Sequence, residues 1–203
     1  MKEIIKNIKA ARSEKKADLV LKNANIVNVF INALEKADVA IEDGIIVGIG
    51  EYEGETEIDL EGKYLCPGFI DGHIHIESSF LCGANFEKAV LPHGTTAIIT
   101  DPHEIANVAG INGIKFMMET TENLSLSVYF TLPSCVPSTD LDESGAILEA
   151  EDLYSLYSST RVVGLSEVMN VYGTIHGDEK VLQKIVDCKV NRKVVDGHAP
   201  DVK

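Results

Sequence analysis

Three features of the 203-residue chain predict an α/β protein with a small β domain ahead of a series of βα units. Residues 17–65 carry short β-branched runs broken by turn formers, which is the pattern of closely spaced strands. From residue 66 onward, apolar runs of strand length alternate with stretches of helical periodicity, the order that builds a parallel sheet. Histidines and carboxylates then recur at the ends of those predicted strands. The expected organisation is an N-terminal helix over 1–16, an incomplete β (sandwich-like) domain over 17–65 and a βα portion over 66–203.

The first segment is locally basic, with Lys2, Lys6, Lys9, Arg12, Lys15 and Lys16 against Glu3 and Glu14. Ile4, Ile5, Ile8 and Ala11 fall on one helical stripe. It reads as a short helix packed on its own domain. The alternative, a membrane-surface or targeting helix, would call for a longer stripe and an aromatic anchor.

The β domain follows as Leu19–Leu21, Ile26–Val29, Asp38–Ile41 and Ile45–Ile49, with Glu42-Asp43-Gly44 as the clearest hairpin turn. Its expected role is scaffold.

Cys66 to Ser79 reads Cys-Pro-Gly-Phe-Ile-Asp-Gly-His-Ile-His-Ile-Glu-Ser-Ser. On an extended strand, successive side chains alternate between faces. Asp71, His73, His75 and Glu77 would share one face, with Ile70, Ile74 and Ile76 on the other. A divalent metal needs several such donors converging on one point, which makes His73 and His75 the first ligand candidates. Taken alone, a His-x-His pair fits equally well two imidazoles bonded to backbone or water at a strand end.

The remaining elements continue the alternation. Asn85 to Pro92 suits a helix that stops at His93-Gly94, with glycine as its C-terminal cap. Thr95 to Asp101 is a buried strand opening into Pro102-His103-Glu104, and Glu104 to Thr121 reads as helix. Leu126 to Leu132 is the third strand of the series, residues 149–160 a helix and Arg161 to Val168 a fourth strand. A helix over Asp178 to Asn191 and a fifth strand over Lys193 to His198 complete it.

Bulk properties narrow the function classes. A net charge of −14 disfavours nucleic acid, whose binding is driven by lysine and arginine neutralising phosphates. No window has the length of a membrane span. Cys66, Cys82, Cys135 and Cys188 form no Cys-x-x-Cys pair and no signal peptide precedes them, so reduced thiols in a cytoplasmic protein are expected.

Pro-Gly-Phe-Ile-Asp-Gly-His-Ile-His at 67–75 resembles the first-strand signature of the amidohydrolase superfamily, metal-dependent hydrolases built on a (β/α)8 TIM barrel. His-Ile-Glu-Ser-Ser (75–79), Thr-Asp-Pro-His-Glu-Ile-Ala-Asn-Val (100–108), Ser-Glu-Val-Met-Asn (166–170) and Asp-Gly-His-Ala-Pro (196–200), in this order, resemble its adenine deaminase branch. The resemblance runs from about Ala17 to the last residue. Ser166, where that pattern has a glycine-like position, and Asn170-Val171-Tyr172-Gly173 depart from it.

That resemblance implies an incomplete barrel of five strands, and a β domain completed elsewhere by strands this chain does not contain. A full barrel takes about 250 residues. It implies two divalent metal ions, with Mn or Fe ahead of Zn. His73 and His75 would hold one, Glu167 would bridge to the second and His198 would bind that second ion. The implied reaction is hydrolytic deamination of adenine to hypoxanthine and ammonia, a step of purine salvage. Glu77 would hold the purine or move protons. His103, Glu104 and Asp71 would form an auxiliary layer, although Glu104 also suits a plain helix start.

In βα barrels, active sites sit at the C-terminal ends of the strands. His73, His75, His103, Glu167 and His198 all fall there, an argument for one shared site that needs no relative. Val163 and Leu165 share the strand face of Glu167 and argue that it points inward. His93, at a helix end, and His176, in an expected loop, read as structural or solvent-facing.

Other chemistries are set aside. His75-Ile76-Glu77 is not followed by Pro-Cys-x-x-Cys, and His103-Glu104-Ile105-Ala106-Asn107 ends in asparagine where a zinc-protease helix has histidine. No Gly-x-Ser-x-Gly elbow is present. The resemblance also implies a sixth-strand histidine and an eighth-strand aspartate, which have no counterpart before Lys203. Little or no deaminase activity is therefore expected of these residues alone, and exposed strand edges suggest a homo-oligomer. A non-catalytic, shortened metal-binding protein and an amidohydrolase acting on another cyclic amide or amidine are the rival readings.

Overall fold

The computed structural model describes residues 1–139 and 141–200. Residues 201–203, the end of the expected βα portion, lie outside the described residues. The chain divides into two compact units, Met1–Pro67 and Gly68–Lys203.

The first unit comprises helix α1 (Lys2–Ala11) and strands β1 (Ala17–Asn28), β2 (Ala33–Glu42), β3 (Ile45–Gly50), β4 (Gly54–Asp59) and β5 (Tyr64–Leu65). These form one mixed sheet in the order β3-β2-β1-β4, with β5 also paired to β1. The runs expected as two strands at 19–21 and 26–29 are one long strand with a bulge between Leu21 and Ala24. Asn23 supplies the bulge, with φ of +56°, a conformation asparagine tolerates better than most residues. α1 ends at Ala11, short of the expected residue 16, because Ser13 turns left-handed (φ +54°). Ala10 is buried with Ala17, Val20 and Ala40, which is the packing expected of this helix on its own domain. Glu42 is fully buried, and its carboxylate accepts from Lys15 Nζ (2.6 Å) and the Asp18 amide (2.9 Å) and pairs with Lys6 Nζ (2.7 Å). A carboxylate buried in this way stays charged because its donors are supplied.

In the second unit five strands lie in the order β10-β9-β8-β7-β6: β6 (Phe69–Ile74), β7 (Thr95–Thr100), β8 (Ser127–Pro133), β9 (Val162–Val168) and β10 (Val194–Gly197). All neighbours are parallel, so every strand presents its C-terminal end on one side. The connections carry α2 (Gly83–Val90), α3 (His103–Thr120), α4 (Ala150–Tyr154), α5 (Val171–His176) and α6 (Glu179–Val190). Strand segments rich in Val, Ile and Thr suit the buried face of a parallel sheet. Ile76, Ile98, Ile114, Phe130, Leu132, Val162 and Leu165 are fully enclosed.

The expected glycine stop after α2 is Gly94, which has φ of +93° and closes a 3₁₀ turn over Leu91–His93. The helix expected as one piece after His103 is broken at Gly110 (φ +59°, ψ −144°), a conformation that glycine adopts without strain. A side chain there would also crowd Ala146. The expected loop after β9 contains α5, whose β-branched and glycine content argues against a helix. Asn170 starts it by accepting from the Gly173 amide at 2.8 Å, and Gly177 (φ +83°) stops it.

Candidate metal centre

The C-terminal ends of β6, β7, β9 and β10 bring together His73, His75, Asp101, His103, Glu167 and His198. Glu167 is the hub. Its Oε1 lies 2.9 Å from His198 Nε2 and 3.6 Å from His73 Nε2, and its Oε2 lies 3.2 Å from His103 Nδ1 and 3.4 Å from His75 Nε2. The His73 and His75 imidazoles meet through their Nε2 atoms at 3.1 Å. That separation suits two donors each about 2.1 Å from a common ion.

Backbone geometry sets these side chains. Glu167 sits at φ +37°, in the left-handed region that costs a β-carbon-bearing residue about 1–3 kcal/mol. Ser134 Oγ, at the end of β8, donates to the Glu167 carbonyl at 2.7 Å and holds it there. His75 Nδ1 donates to the Asp101 carbonyl at 2.9 Å, which leaves Nε2 of the neutral ring as a lone pair facing Glu167. Asp71 accepts from the His73 amide at 3.1 Å and so braces the turn that carries His73. Asp196 Oδ2 lies 3.6 Å from the other His73 nitrogen.

The electrostatics match this arrangement. Burial pushes the Glu167 pKa up, but the His198 hydrogen bond and the fields of His103, His75 and His73 outweigh it and hold the carboxyl below the usual range. The hydrogen bond to Asp101 is the main cause that raises the His103 pKa, helped by the nearby Glu167. Two imidazole lone pairs and a central carboxylate, with more donors around them, form a set that fits a divalent cation of borderline to hard character.

Glu77 lies elsewhere than expected. Strand β6 ends at Ile74, and the backbone turns at Ile76 into a 3₁₀ turn over Glu77–Ser79, so Glu77 does not continue the strand face of His73 and His75. The physical cause is Ile76, which is fully buried in the core and directs the chain inward. Glu77 Oε1 accepts from the Ile105 amide at 3.3 Å, its Oε2 is buried without a partner, and burial raises its pKa. Glu104 accepts from Ser78 Oγ at 2.6 Å and does not touch the cluster. His93 is exposed, and His176 stacks on Tyr172 and bonds to its carbonyl, so neither belongs to the site.

Asp101 was not singled out as a site residue from the sequence, where it reads as the last residue of the strand Thr95 to Asp101. Its only signal was its position at the end of a predicted strand. A further carboxylate group, Asp18, Glu42 and Asp43, is already paired with Lys6 and Lys15. Among the described residues no helix is long and apolar enough to cross a membrane.

Residues 64–202 match the amidohydrolase family. An adenine deaminase of Clostridium acetobutylicum is 54% identical over 98% of this chain and 35% of its own length. The Bacillus subtilis adenine deaminase is 48% identical over 96% of this chain and 34% of its own. The chain thus spans about a third of the length of these curated relatives. Among solved structures, a Bordetella bronchiseptica N-acyl-D-glutamate deacylase complexed with zinc superposes with a TM-score of 0.61 at 16% identity, covering 91% of this chain and 45% of that one. A Thermus D-hydantoinase gives 0.55 at 25% identity, over 73% and 32%.

Proposed function

The chain belongs to the amidohydrolase family, and we propose that it forms the metal-binding front part of an adenine deaminase, converting adenine and water to hypoxanthine and ammonia. The observation that carries this reading is the convergence of His73, His75 and His198 on Glu167 within 3.6 Å, at the C-terminal ends of β6, β9 and β10. In this reading His73 and His75 would hold one divalent ion, His198 would hold a second, and Glu167 would serve both. When bound, the ions supply the Lewis acidity that activates water for attack near neutral pH.

The chain's own residues have separable tasks. Asp101 fixes the His75 ring through its carbonyl, and Ser134 fixes the Glu167 backbone. Glu77, half-buried and with its pKa raised by burial, is left with the task of holding the purine or moving protons. The mixed imidazole and carboxylate donors fit Mn, Fe or Zn. Purine salvage in the cytoplasm, and assembly into a homo-oligomer, belong to the same proposal.

The test is turnover of adenine by the protein purified from its source and supplied with Mn(II) or Fe(II), followed by hypoxanthine and ammonia release. Equimolar release of both supports the reading. Hydrolysis of a cyclic amide such as a hydantoin, with adenine untouched, would replace it.

A further inference from the structure

We infer that Asp101, at the end of β7, is an additional metal ligand that turns the His73–His75–Glu167 centre toward hard divalent cations. The inference rests on the metal-centre reading above and concerns a residue to which that reading gives only a backbone role. Asp101 is 1% exposed. One carboxylate oxygen, Oδ2, accepts from His103 Nδ1 at 2.9 Å, while the other, Oδ1, is buried with no partner. A buried carboxylate oxygen left unpaired is costly, and folded proteins rarely keep one unless something occupies it.

The residue is also held in place from both sides. Its amide donates to the Ile74 carbonyl at 3.0 Å and its carbonyl accepts from His75 Nδ1 at 2.9 Å, so the backbone that carries the carboxylate cannot shift without disturbing β6 and the His75 ring position. Donor atoms of Asp101, His75, His103 and Glu167 all lie within 4.8 Å of one another. Donors around a single ion at about 2.0–2.5 Å can be no further apart than roughly 4–5 Å, so Asp101, His75 and Glu167 fit one coordination shell, with His103 beside it. His103 shares its Nδ1 proton between Asp101 Oδ2 and Glu167 Oε2, at 2.9 and 3.2 Å. It thereby aims both carboxylates, which makes it a positioning residue in the outer shell.

A second carboxylate changes the chemistry of the centre. With His73, His75 and Glu167 alone the donors are two imidazoles and one carboxylate, which suits zinc as well as any other ion. Adding Asp101 gives two imidazoles and two carboxylates, a set that shifts preference toward Mn(II) and Fe(II).

The experiment is equilibrium binding of Mn(II) and Zn(II) to the purified protein, with metal content measured after desalting. Asp101→Asn keeps the shape and removes the charge. The expected result is a loss of at least tenfold in Mn(II) affinity, with a smaller loss for Zn(II). Asp101→Cys places a thiolate at the same point and is expected to bind Zn(II) or Cd(II) with a thiolate-to-metal absorption band. That gives a positive readout even if the asparagine variant folds poorly. Unchanged Mn(II) affinity in folded Asp101→Asn, or a folded Asp101→Cys protein that binds metal without the band, would overturn the inference and leave the metal centre standing. Failure of the unaltered protein to bind any divalent ion would overturn both.

Discussion

Ser134 donates its hydroxyl to the backbone carbonyl of Glu167 across 2.7 Å, and the residue it holds has a left-handed backbone with φ of +37°. The end of one strand thus keeps its neighbour in a conformation that a glutamate would not choose. Removing that bond by Ser134→Ala is expected to cost about 1 kcal/mol of stability, the usual net worth of such a bond. It should also weaken divalent-metal binding, because the Glu167 carboxylate loses its aim. Denaturant unfolding combined with a metal titration checks both, and a variant with unchanged metal affinity would show that the strained backbone holds itself.

Glu167 faces four imidazoles, and its carboxylate is the group they share. Glu167→Gln keeps the shape while removing the charge. In the unaltered protein, a free ion concentration of 100 times Kd should add about 2.7 kcal/mol to stability, and a chelator should remove it. In Glu167→Gln that response should disappear while the circular dichroism stays native. Thermal melts with and without Mn(II) decide the point, and an undiminished response would place the ion elsewhere.

The sequence made the strand-and-helix alternation and the strand-end position of the donors readable, because apolar periodicity and a local His-x-His pattern are carried by adjacent residues. What it hid depends on contacts distant in sequence. The strand-like alternation from Asp71 to Glu77 is real in the letters, yet Ile76 is claimed by the core and the chain turns before Glu77. Asp101 gains its place from Ile74 and His75, some 26 residues away for the latter, and no local pattern encodes that. α5 forms against its own composition because Asn170 caps it and Gly177 ends it. The kink at Gly110 answers to Ala146 in a different loop.

Arg161, just ahead of β9, fastens β8 and the C-terminal end of α3 to its own strand. Its Nε donates to the Val128 carbonyl at 3.1 Å, its Nη1 to the Met118 carbonyl at 2.9 Å and its Nη2 to Thr121, and the guanidinium lies 5.1 Å from the Phe130 ring centre. Arg161→Met would remove the guanidinium donors from the Val128 and Met118 carbonyls in a partly buried setting, at an expected cost of about 1–3 kcal/mol. Arg161→Lys should recover only part of it, since an ammonium cannot copy a planar fork. Urea midpoints of the three proteins test this ordering, and equal stability of the lysine variant would reduce the fork to a simple charge.

Lys184 on α6 is 6% exposed, and its Nζ donates to the Ser134 carbonyl at 2.9 Å. Burial is the main cause that lowers its pKa; Lys180 adds to it, while Cys135, Glu149 and Asp152 oppose it. The sign follows from proton counting. Between the depressed folded value and the unfolded value of about 10.4, the unfolded chain binds more protons, so this group makes the protein more stable as pH rises through that window. Below the window the buried ammonium is a standing cost, because both states are then charged and only the folded one has lost its water. Lys184→Met removes the titration, although it also leaves the Ser134 carbonyl without that donor. The stability difference between the unaltered protein and Lys184→Met should therefore move in favour of lysine as pH is raised from 7 toward 10. Urea unfolding at several pH values gives the slope. A difference that stays flat would mean that Lys184 keeps its ordinary pKa in the folded protein, through its hydrogen bond and the acidic residues around it.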